Sequence, residues 1–567
     1  MKTPPSKRSL AVNACVLLLL LLPVPALAQT PPDAGTLLKE QPKPAIRPPA
    51  PQQIAPEAPA AKPADKAGPT VLVKGFRIKG ALLIPEAELQ GLIKDAIGKE
   101  MNFEQLRALC LYLAGYYIQQ GYLARVVLPP QEIRDGIVDI QVTEGQRGSL
   151  NIDNQGQRLD AARLKDFIDA RIPGGAPMDL GALGEAMNIL NEQPGVDAKI
   201  AIAPGKGEKD IDLALTAKDK PLAGYSLGAN NHGTRGTGEY QISGSLQLNN
   251  PTGLLDAASL LVNASAGSTF VRLDYRAAAG SSGLQLGANA SHLGYKIVQD
   301  GLNALDPNGS AGTWGLTASY PLARRADSNL SLTGSYEHKT LIDKTIVGET
   351  GNRRVTVASL GISGYTMGGA LLSYGVGLTS GKSDQRNASA LAVDDVTRKV
   401  QGSFTKFTYN AGYLQALDAG WTFNAALRGQ IAGKNLDSTE RMNLGGPTAV
   451  RAYPVGEASG DEALIASLNL GYKLDDTLDA NLFLDSGSVR LNKETWAGWD
   501  AGNPGQPNRY TLGGLGVGLD WRIAPQALLT ASVAAPLGKN SGADINGKNA
   551  DGYGNRAHAW IALNATF

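Results

Sequence analysis

Apolar and polar side chains alternate with a period of two from about Pro221 to the last residue, Phe567. In the final run Ile561, Leu563 and Phe567 share one face, while polar residues such as Asn564 lie on the other. The same pattern recurs at residues 240–249, 314–320 and 406–413. Because successive side chains of a strand point to opposite faces, the pattern predicts β-strands throughout this region.

The composition of the two faces distinguishes a membrane barrel from a soluble sandwich. The polar face is rich in Gly, Ser, Thr, Asn and Gln, and Tyr and Trp stand near the ends of the apolar face. Strands of this kind are typical of a barrel with a lipid-facing outer wall and a wet lumen. We therefore predict a transmembrane β-barrel of about sixteen antiparallel strands in residues 221–567, although fourteen or eighteen strands would also fit.

The N-terminus predicts export from the cytoplasm. A basic segment with Lys2, Lys7 and Arg8 precedes an apolar core at 16–22 and the small residues of a cleavage site at 26–28. This order is typical of a secretory signal peptide, assigned to residues 1–28, and the apolar core is too short to span a bilayer as a helix. Residues 29–69 are rich in Pro and Ala, which predicts an extended linker, with one short helix at 33–41.

Two compact modules separate the linker from the barrel, at residues 70–145 and 146–220. Each is predicted to follow the order strand, helix, helix, strand, strand, which makes them an internal repeat. The predicted elements of the first are 71–78, a helix opening at Pro85, a helix after Asn102, 124–128 and 137–142. Those of the second are 149–152, 160–170, 180–190, 197–202 and 210–215.

The residue types that carry enzyme chemistry are sparse. Once the signal is removed, Cys110 is the only cysteine, and it falls on the apolar face of a predicted helix. His232, His292, His338 and His558 are scattered, without metal or triad spacing. The run at 375–383 resembles a phosphate loop but alternates as a strand. With 53 basic and 52 acidic residues, nothing indicates nucleic acid. We predict no enzymatic activity, cofactor, metal or nucleotide.

Together these segments resemble the outer-membrane transporters of two-partner secretion, the TpsB family of the Omp85 superfamily, which exports haemolysins and filamentous haemagglutinins. The most specific stretches are residues 121–145 and 190–205, which look like the family's two periplasmic POTRA domains, and the hairpin NNPTGLLD at 249–256. The helix at 33–41 is shorter than the plug helix typical of the family.

Two further motifs place candidate functional residues inside the barrel. The run at 450–461 is similar to the tip of the family's lumen-filling loop and contains Val450, Arg451, Ala452, Tyr453, Gly460 and Asp461. Phe483, Asp485 and Gly487 resemble its F-x-D-x-G motif on the barrel wall, and alternation turns all three toward the lumen. We expect Arg451 and Asp485 to form an ion pair. Ala452 stands where the family usually has glycine.

The resemblance implies that the POTRA pair captures one large, unfolded secreted partner, of the adhesin, haemolysin or toxin type, which then threads the barrel to the cell surface. Export could also activate that partner. The alternatives are an Omp85-type factor that assembles other outer-membrane proteins and, less well supported, a passive porin. The expected surroundings are outer-membrane lipid, the periplasm and the barrel-assembly machinery, for which Ile561, Leu563 and Phe567 of the last strand are the candidate assembly signal.

Overall fold

The computed structural model describes residues 31–42 and 69–567. The predicted signal peptide at 1–28 and most of the predicted linker lie outside the described residues. Helix α1, Ala34–Glu40, falls within the helix predicted at 33–41. Its N-cap is Asp33, whose side chain accepts a hydrogen bond from the amide of Thr36 and so satisfies one of the free amides of the first turn.

The first module, residues 70–145, is a small α+β unit. Its elements are β1 (Thr70–Leu72), β2 (Gly75–Lys79), α2 (Glu86–Ile93), β3 (Glu100–Asn102), α3 (Phe103–Gln119), β4 (Ala124–Val127) and β5 (Ile137–Glu144). The predicted strand at 71–78 is two strands, since β1 pairs with β3 while β2 pairs with β5. Asn102 and Gln105 form a capping box that begins α3. Cys110, which the sequence places on the apolar face of this helix, packs in the core beside Tyr117.

The second module repeats the order of elements. They are β6 (Gln146–Asn154), α4 (Ala161–Asp169), α5 (Leu180–Glu192), β7 (Val196–Pro204) and β8 (Asp210–Asp219), and each overlaps its predicted position. In both modules a three-stranded sheet has one parallel and one antiparallel pair, with orders β2-β5-β4 and β6-β8-β7. The outer edges of β4 and β7 therefore end their sheets.

The barrel contains sixteen antiparallel strands in one closed sheet, as predicted. They are β9 (Ala223–Asn230), β10 (Gln241–Asn249), β11 (Asp256–Ala264), β12 (Ser268–Ala278), β13 (Gln285–Lys296), β14 (Asn308–Arg324), β15 (Ser328–Thr345), β16 (Gly348–Met367), β17 (Leu371–Gln385), β18 (Gly402–Ala416), β19 (Trp421–Ala432), β22 (Glu462–Lys473), β23 (Leu478–Arg490), β24 (Arg509–Ala524), β25 (Ala527–Pro536) and β26 (His558–Thr566). Two short strands, β20 (Met442–Asn443) and β21 (Ser459–Gly460), pair with each other in the loop before β22.

The outer wall is apolar, as alternation predicts. Large side chains such as Leu316, Leu482 and Val517 are each about half exposed there. Trp421 and Tyr472 pack together with their ring centroids 4.7 Å apart, at the strand ends on the side that carries the two modules. Amphipathic aromatics of this kind favour the boundary between lipid and water. The described part of the chain contains no helix that is long and apolar enough to cross a membrane.

The prediction of β-strands throughout the barrel region missed one helix, because the sequence there shows no helical period. Helix α6, Ala388–Val396, lies in the loop between β17 and β18, on the side away from the modules. Asn387 caps it by accepting from the amide of Ala390. With nine residues and no buried side chain, the helix has no apolar face for a period of 3.6 to reveal.

The second module is joined firmly to the barrel. Leu255, from the turn between β10 and β11, is buried in the module's core, and Ala278 packs against that core. Arg324 at the end of β14 bonds Glu192 of α5, with a nitrogen–oxygen distance of 2.6 Å. The residues 249–256, which look like the family's first hairpin, therefore supply part of this junction.

Candidate functional site

The loop between β19 and β22, residues 433–461, folds into the barrel and forms an apolar cluster against its inner wall. Leu444, Val450 and Tyr453 of this loop are fully buried. They pack with wall residues that include Ile465, Phe483, Val489, Leu512 and Ala534. The predicted loop tip therefore lies in the lumen, against the strands β22 to β25.

Arg451 and Asp485 form the predicted ion pair. The guanidinium donates through Nε to Oδ2 at 2.8 Å and through Nη2 to Oδ1 at 2.7 Å, which is a two-point contact. The backbone amide of Arg451 also donates to Oδ2, at 3.1 Å, and the Ser467 hydroxyl donates to Oδ1. Asp485 is fully buried, whereas the Arg451 side chain is 16 % exposed. Nη2 also donates to Asn469 on β22.

The other wall residues of the motif shape the space for the loop. The Arg451 guanidinium lies 3.3 Å from the centroid of the Phe483 ring, a cation–π contact. A Cβ on Gly487 would lie only 3.0 Å from the side chains of Leu444 and Val450, so the glycine makes room for the loop. Ala452 is fully buried and its φ is not positive, so its Cβ introduces no backbone strain.

Gly460 and Asp461 fix the base of the loop rather than its tip. A Cβ on Gly460 would lie 2.3 Å from the Val489 side chain and 2.6 Å from the carbonyl of Arg490, which explains the glycine. Asp461 is fully buried and accepts from Arg441 Nε at 2.9 Å. It also accepts the backbone amides of Leu436 and Lys493. These residues position the loop where it leaves and rejoins the wall.

Helix α1 also lies in the lumen, so the short helix is docked despite its length. Ala34 and Leu37 are buried against an apolar patch of the inner wall. That patch comprises Phe270, Leu293, Tyr295, Ala311, Leu341, Val355, Val357, Phe404 and Ala432. These residues lie on strands β12 to β19. Their apolar character differs from the polar inner face that alternation predicts for a wet lumen.

Arg353 on β16 holds the N-terminal end of the helix. Its guanidinium bonds three carboxylates, at 2.6 Å to Asp33, 2.7 Å to Asp343 on β15 and 2.7 Å to Asp437 in the loop. Burial raises the pKa of Asp33, but the Arg353 charge and hydrogen bonds from Thr36 and Ser438 outweigh it, so the pKa lies below its usual range. The helix, the wall and the loop therefore share one cation.

The C-terminal end of the helix contacts the same loop through polar groups. Lys39 Nζ donates to Asn443 Oδ1 at 2.7 Å, and Asn443 Nδ2 donates to Glu40 at 3.1 Å. Burial raises the pKa of Glu40. The nearby Lys39 charge lowers this pKa, but it offsets the effect of burial only in part. Both ends of α1 thus bond the loop at 433–461, at Ser438 and at Asn443.

The remaining predicted residues lie apart from this site. Ile561 and Leu563 face outward on β26 and are 49 % and 39 % exposed. Phe567 ends the chain beside β9, where its backbone exchanges hydrogen bonds with Tyr225. Residues 375–383 lie within β17, in agreement with the strand reading. Among the described residues no group of three or more His, Cys, Asp and Glu side chains could hold a metal ion.

A closed sixteen-stranded membrane barrel, with α+β modules at one end and a lumen filled by a helix and a loop, defines an outer-membrane transporter of the Omp85 type. The model of the haemolysin secretion/activation protein family ShlB/FhaC/HecB matches residues 207–520, more than half of the chain. The model of the ShlB-type POTRA domain matches residues 71–145, the first module.

Individual relatives agree with the family match. The chain is 26 % identical over 490 residues to the heme/hemopexin transporter protein HuxB of Haemophilus influenzae, covering 85 % of this chain and 84 % of that protein. It is 28 % identical over 479 residues to the outer membrane transporter CdiB of Escherichia coli, covering 80 % and 76 %. The solved structure of CdiB from Escherichia coli has the same fold, with a TM-score of 0.69, 20 % identity and full coverage of both chains.

The chain therefore belongs to the haemolysin secretion/activation family, the TpsB transporters of two-partner secretion. Members of this family are transporters. The family assignment locates the barrel in the bacterial outer membrane and its POTRA domain in the periplasm. The modules accordingly mark the periplasmic side of the barrel, and α6 lies on the extracellular side.

Proposed function

We propose that this transporter exports one dedicated, large secreted protein as an unfolded chain, and that its lumen is closed until that protein arrives. The observation that carries the proposal is the filled lumen, in which α1 and the loop at 433–461 occupy the interior and bond each other. A passive porin needs an open channel. A pore closed by two displaceable segments instead suits an extended polypeptide that is admitted on recognition.

Recognition belongs to the periplasmic modules. We assign residues 146–220 to a second POTRA domain, because their elements and sheet order repeat those of the first module. The edges of β4 and β7 can accept an extended segment as an added strand, which supplies backbone hydrogen bonds without requiring one sequence. Because Leu255 and Arg324 join the second module to the barrel rim, a captured chain is held beside the barrel entrance.

The names of the relatives indicate different cargoes, which include haemolysin for ShlB of Serratia marcescens and heme/hemopexin for HuxB. For this chain we propose one large protein cargo of the adhesin, haemolysin or toxin type, which crosses the periplasm unfolded, and no nucleotide is needed for its passage. Outer-membrane lipid and the barrel-assembly machinery are the proposed partners of the barrel itself.

The test is removal of this protein, followed by comparison of the secreted and outer-membrane proteomes with those of the parent. We expect one large secreted protein to disappear while other outer-membrane proteins remain at their normal levels. A general fall in outer-membrane proteins would instead identify an assembly factor. Unchanged secretion with reduced solute uptake would identify a porin, and either outcome would contradict the proposal.

A second arm separates capture from passage. A variant of the full protein that lacks residues 70–145 should assemble its barrel but secrete little of the partner, since the first recognition edge is gone. The heat-modifiable electrophoretic band measures the folded barrel, and immunoblotting of the medium measures secretion. Normal secretion by this variant would show that the first module is not the receptor.

A further inference from the structure

The last strand of the barrel makes a second contact with the loop tip. Trp560 on β26 is directed into the lumen and is 7 % exposed. Its indole Nε1 donates to the backbone carbonyl of Arg451, with a nitrogen–oxygen distance of 2.7 Å. The side chain of Arg451 is meanwhile bonded to Asp485 on β23. One residue of the loop is therefore held at its side chain and at its backbone by two different strands.

The strand between these contacts is fitted to the loop as well. A Cβ built on Gly514 of β24 would lie 2.5 Å from the Cβ of Ala452, so this glycine admits the loop tip. The loop tip consequently spans the inner wall from β23 to β26. It reaches the strand at which the barrel closes.

That closure is the shortest ladder in the barrel. β26 and β9 are in register over five residue pairs, whereas every other neighbouring pair of barrel strands has eight or more. Beyond the ladder, the Asn231 amide donates to the Ile561 carbonyl at 3.2 Å. The Asn231 side chain continues the pairing, since its Nδ2 donates to the Ala559 carbonyl at 2.9 Å and its Oδ1 accepts the Ile561 amide at 2.8 Å. The His232 ring meets the edge of Trp560, with centroids 5.9 Å apart.

We propose that Trp560 is a positioning residue for transport, which holds the backbone of the loop tip beside the closing strand while Asp485 holds its side chain. The loop tip thereby braces the shortest ladder of the barrel from inside. Withdrawal of the tip removes the acceptor of the indole and this brace together. The inference rests on the proposed role of the loop in closing the pore, and it adds β26 as the second anchor.

The test substitutes Trp560→Phe, which keeps an aromatic ring and removes the single N–H donor. The matched control is Trp314→Phe, the same change at an outward-facing tryptophan that is 48 % exposed. Single-channel conductance in planar bilayers is measured one assembled channel at a time, so a lower yield of barrel does not affect it. Loss of one buried hydrogen bond should raise the ratio of undocked to docked loop about fivefold.

The expected result is more frequent open events and reduced secretion for Trp560→Phe, with Trp314→Phe unchanged. In the Arg451→Ala background, where the tip is already released, Trp560→Phe should add nothing. If Arg451→Ala is impaired and Trp560→Phe behaves like the parent, the second anchor is refuted and the proposed role of the loop stands. If the effects of Arg451→Ala and Trp560→Phe multiply in the double variant, the two residues act independently and the second anchor is also refuted. If neither variant changes the channel, the proposed role of the loop fails first.

Discussion

The lumen helix and the loop tip occupy the same pore, but they are held in different ways. Helix α1 presents a small apolar face and an N-terminal carboxylate, Asp33, which is 36 % exposed and shares Arg353 with two other carboxylates. The loop tip has Arg451 bound at two points to one fully buried carboxylate, Asp485, and an apolar cluster around it. The helix is followed in the sequence by a Pro- and Ala-rich segment, while the loop joins barrel strands at both ends.

This difference assigns the two segments separate parts in opening. An ion pair whose carboxylate is partly exposed contributes less than a fully buried pair, because water screens it in part. Breaking a buried pair from one side costs about 3 to 5 kcal/mol, because the remaining charge stays buried. The helix is therefore the segment that a captured chain can displace, and the loop tip is the more stable anchor. The helix and the loop are bonded to each other at Ser438 and Asn443, so departure of the helix breaks these hydrogen bonds of the loop.

The largest effect is expected from Arg451→Ala, which leaves Asp485 buried with only the hydroxyl of Ser467 and the backbone amide as donors. Secretion of the partner should fall by at least about tenfold, since 1.4 kcal/mol corresponds to a factor of ten and the full cost is larger. Arg451→Lys should rescue it only in part, because an ammonium cannot make the two parallel bonds. Immunoblotting of the medium measures the loss, and the heat-modifiable band confirms assembly.

Arg428→Ala is the matched control, because this exposed arginine donates to the Thr448 carbonyl of the same loop and has no carboxylate partner in the described structure. It should secrete nearly normally. The swap Arg451→Asp with Asp485→Arg completes a double-mutant cycle. Recovery should be partial, because the backbone amide of residue 451 loses its carboxylate acceptor. Losses that simply add would show that the two residues do not act as a pair.

A variant that destabilises the barrel wall shows what a loss of assembly looks like, for comparison with the variants of the helix and the loop. Leu563→Lys places a charge on the lipid-facing side of β26 and should cost roughly 2 to 4 kcal/mol near the middle of the bilayer. Folded barrel and secretion should then fall together, unlike in Arg451→Ala. The neighbouring Asn564→Lys points into the lumen and is the control. Equal yields of the two variants would contradict the assigned orientation of this strand.

Deleting Phe567 tests the proposed assembly signal on the same strand. Its backbone exchanges two hydrogen bonds with Tyr225 on β9, so the deletion shortens the closing ladder further. We expect less folded barrel, measured by the heat-modifiable band, with the surviving barrels secreting at a normal rate for each molecule. Normal assembly of this variant would place the signal elsewhere in the chain.

A smaller effect is expected from Asp33→Asn, which tests the weaker anchor of the helix. Asparagine can still cap the helix by accepting from Thr36 at Oδ1, but its Nδ2 replaces the oxygen that accepts from Arg353 and Ser438, so the ion pair and both of these bonds are lost. With a partly exposed carboxylate we expect about 1 kcal/mol, or about a fivefold rise in the undocked helix. Open probability in planar bilayers measures it, with exposed Asp395→Asn on α6 as control. A loss as large as that of Arg451→Ala would reverse the proposed order of the two anchors.

The sequence predicted the wall well and its filling poorly. Alternation predicted about sixteen strands and turned Asp485 inward, because burial in lipid imposes one rule on every strand. The same rule missed Val355 and Val357, which face inward because α1 replaces water there. Arg353 was missed because two of its three partners, Asp33 and Asp437, lie 320 and 84 residues away along the chain. Only the topology of the barrel brings them together.

The smallest effect is expected at Ala452, where the family usually has glycine. The structure shows no positive φ there, and its Cβ fills the space left by Gly514 on β24. Ala452→Gly should therefore cost about 1 kcal/mol or less, from backbone freedom and one lost contact, and secretion should stay close to normal. Gly514→Ala should be worse, because its Cβ would meet that of Ala452 at 2.5 Å and displace the anchored tip. Combining the two changes exchanges the methyl groups and should restore much of the loss. If Gly514→Ala secretes normally by itself, the loop tip does not rest on β24, and the tighter of the two anchors loses part of its support.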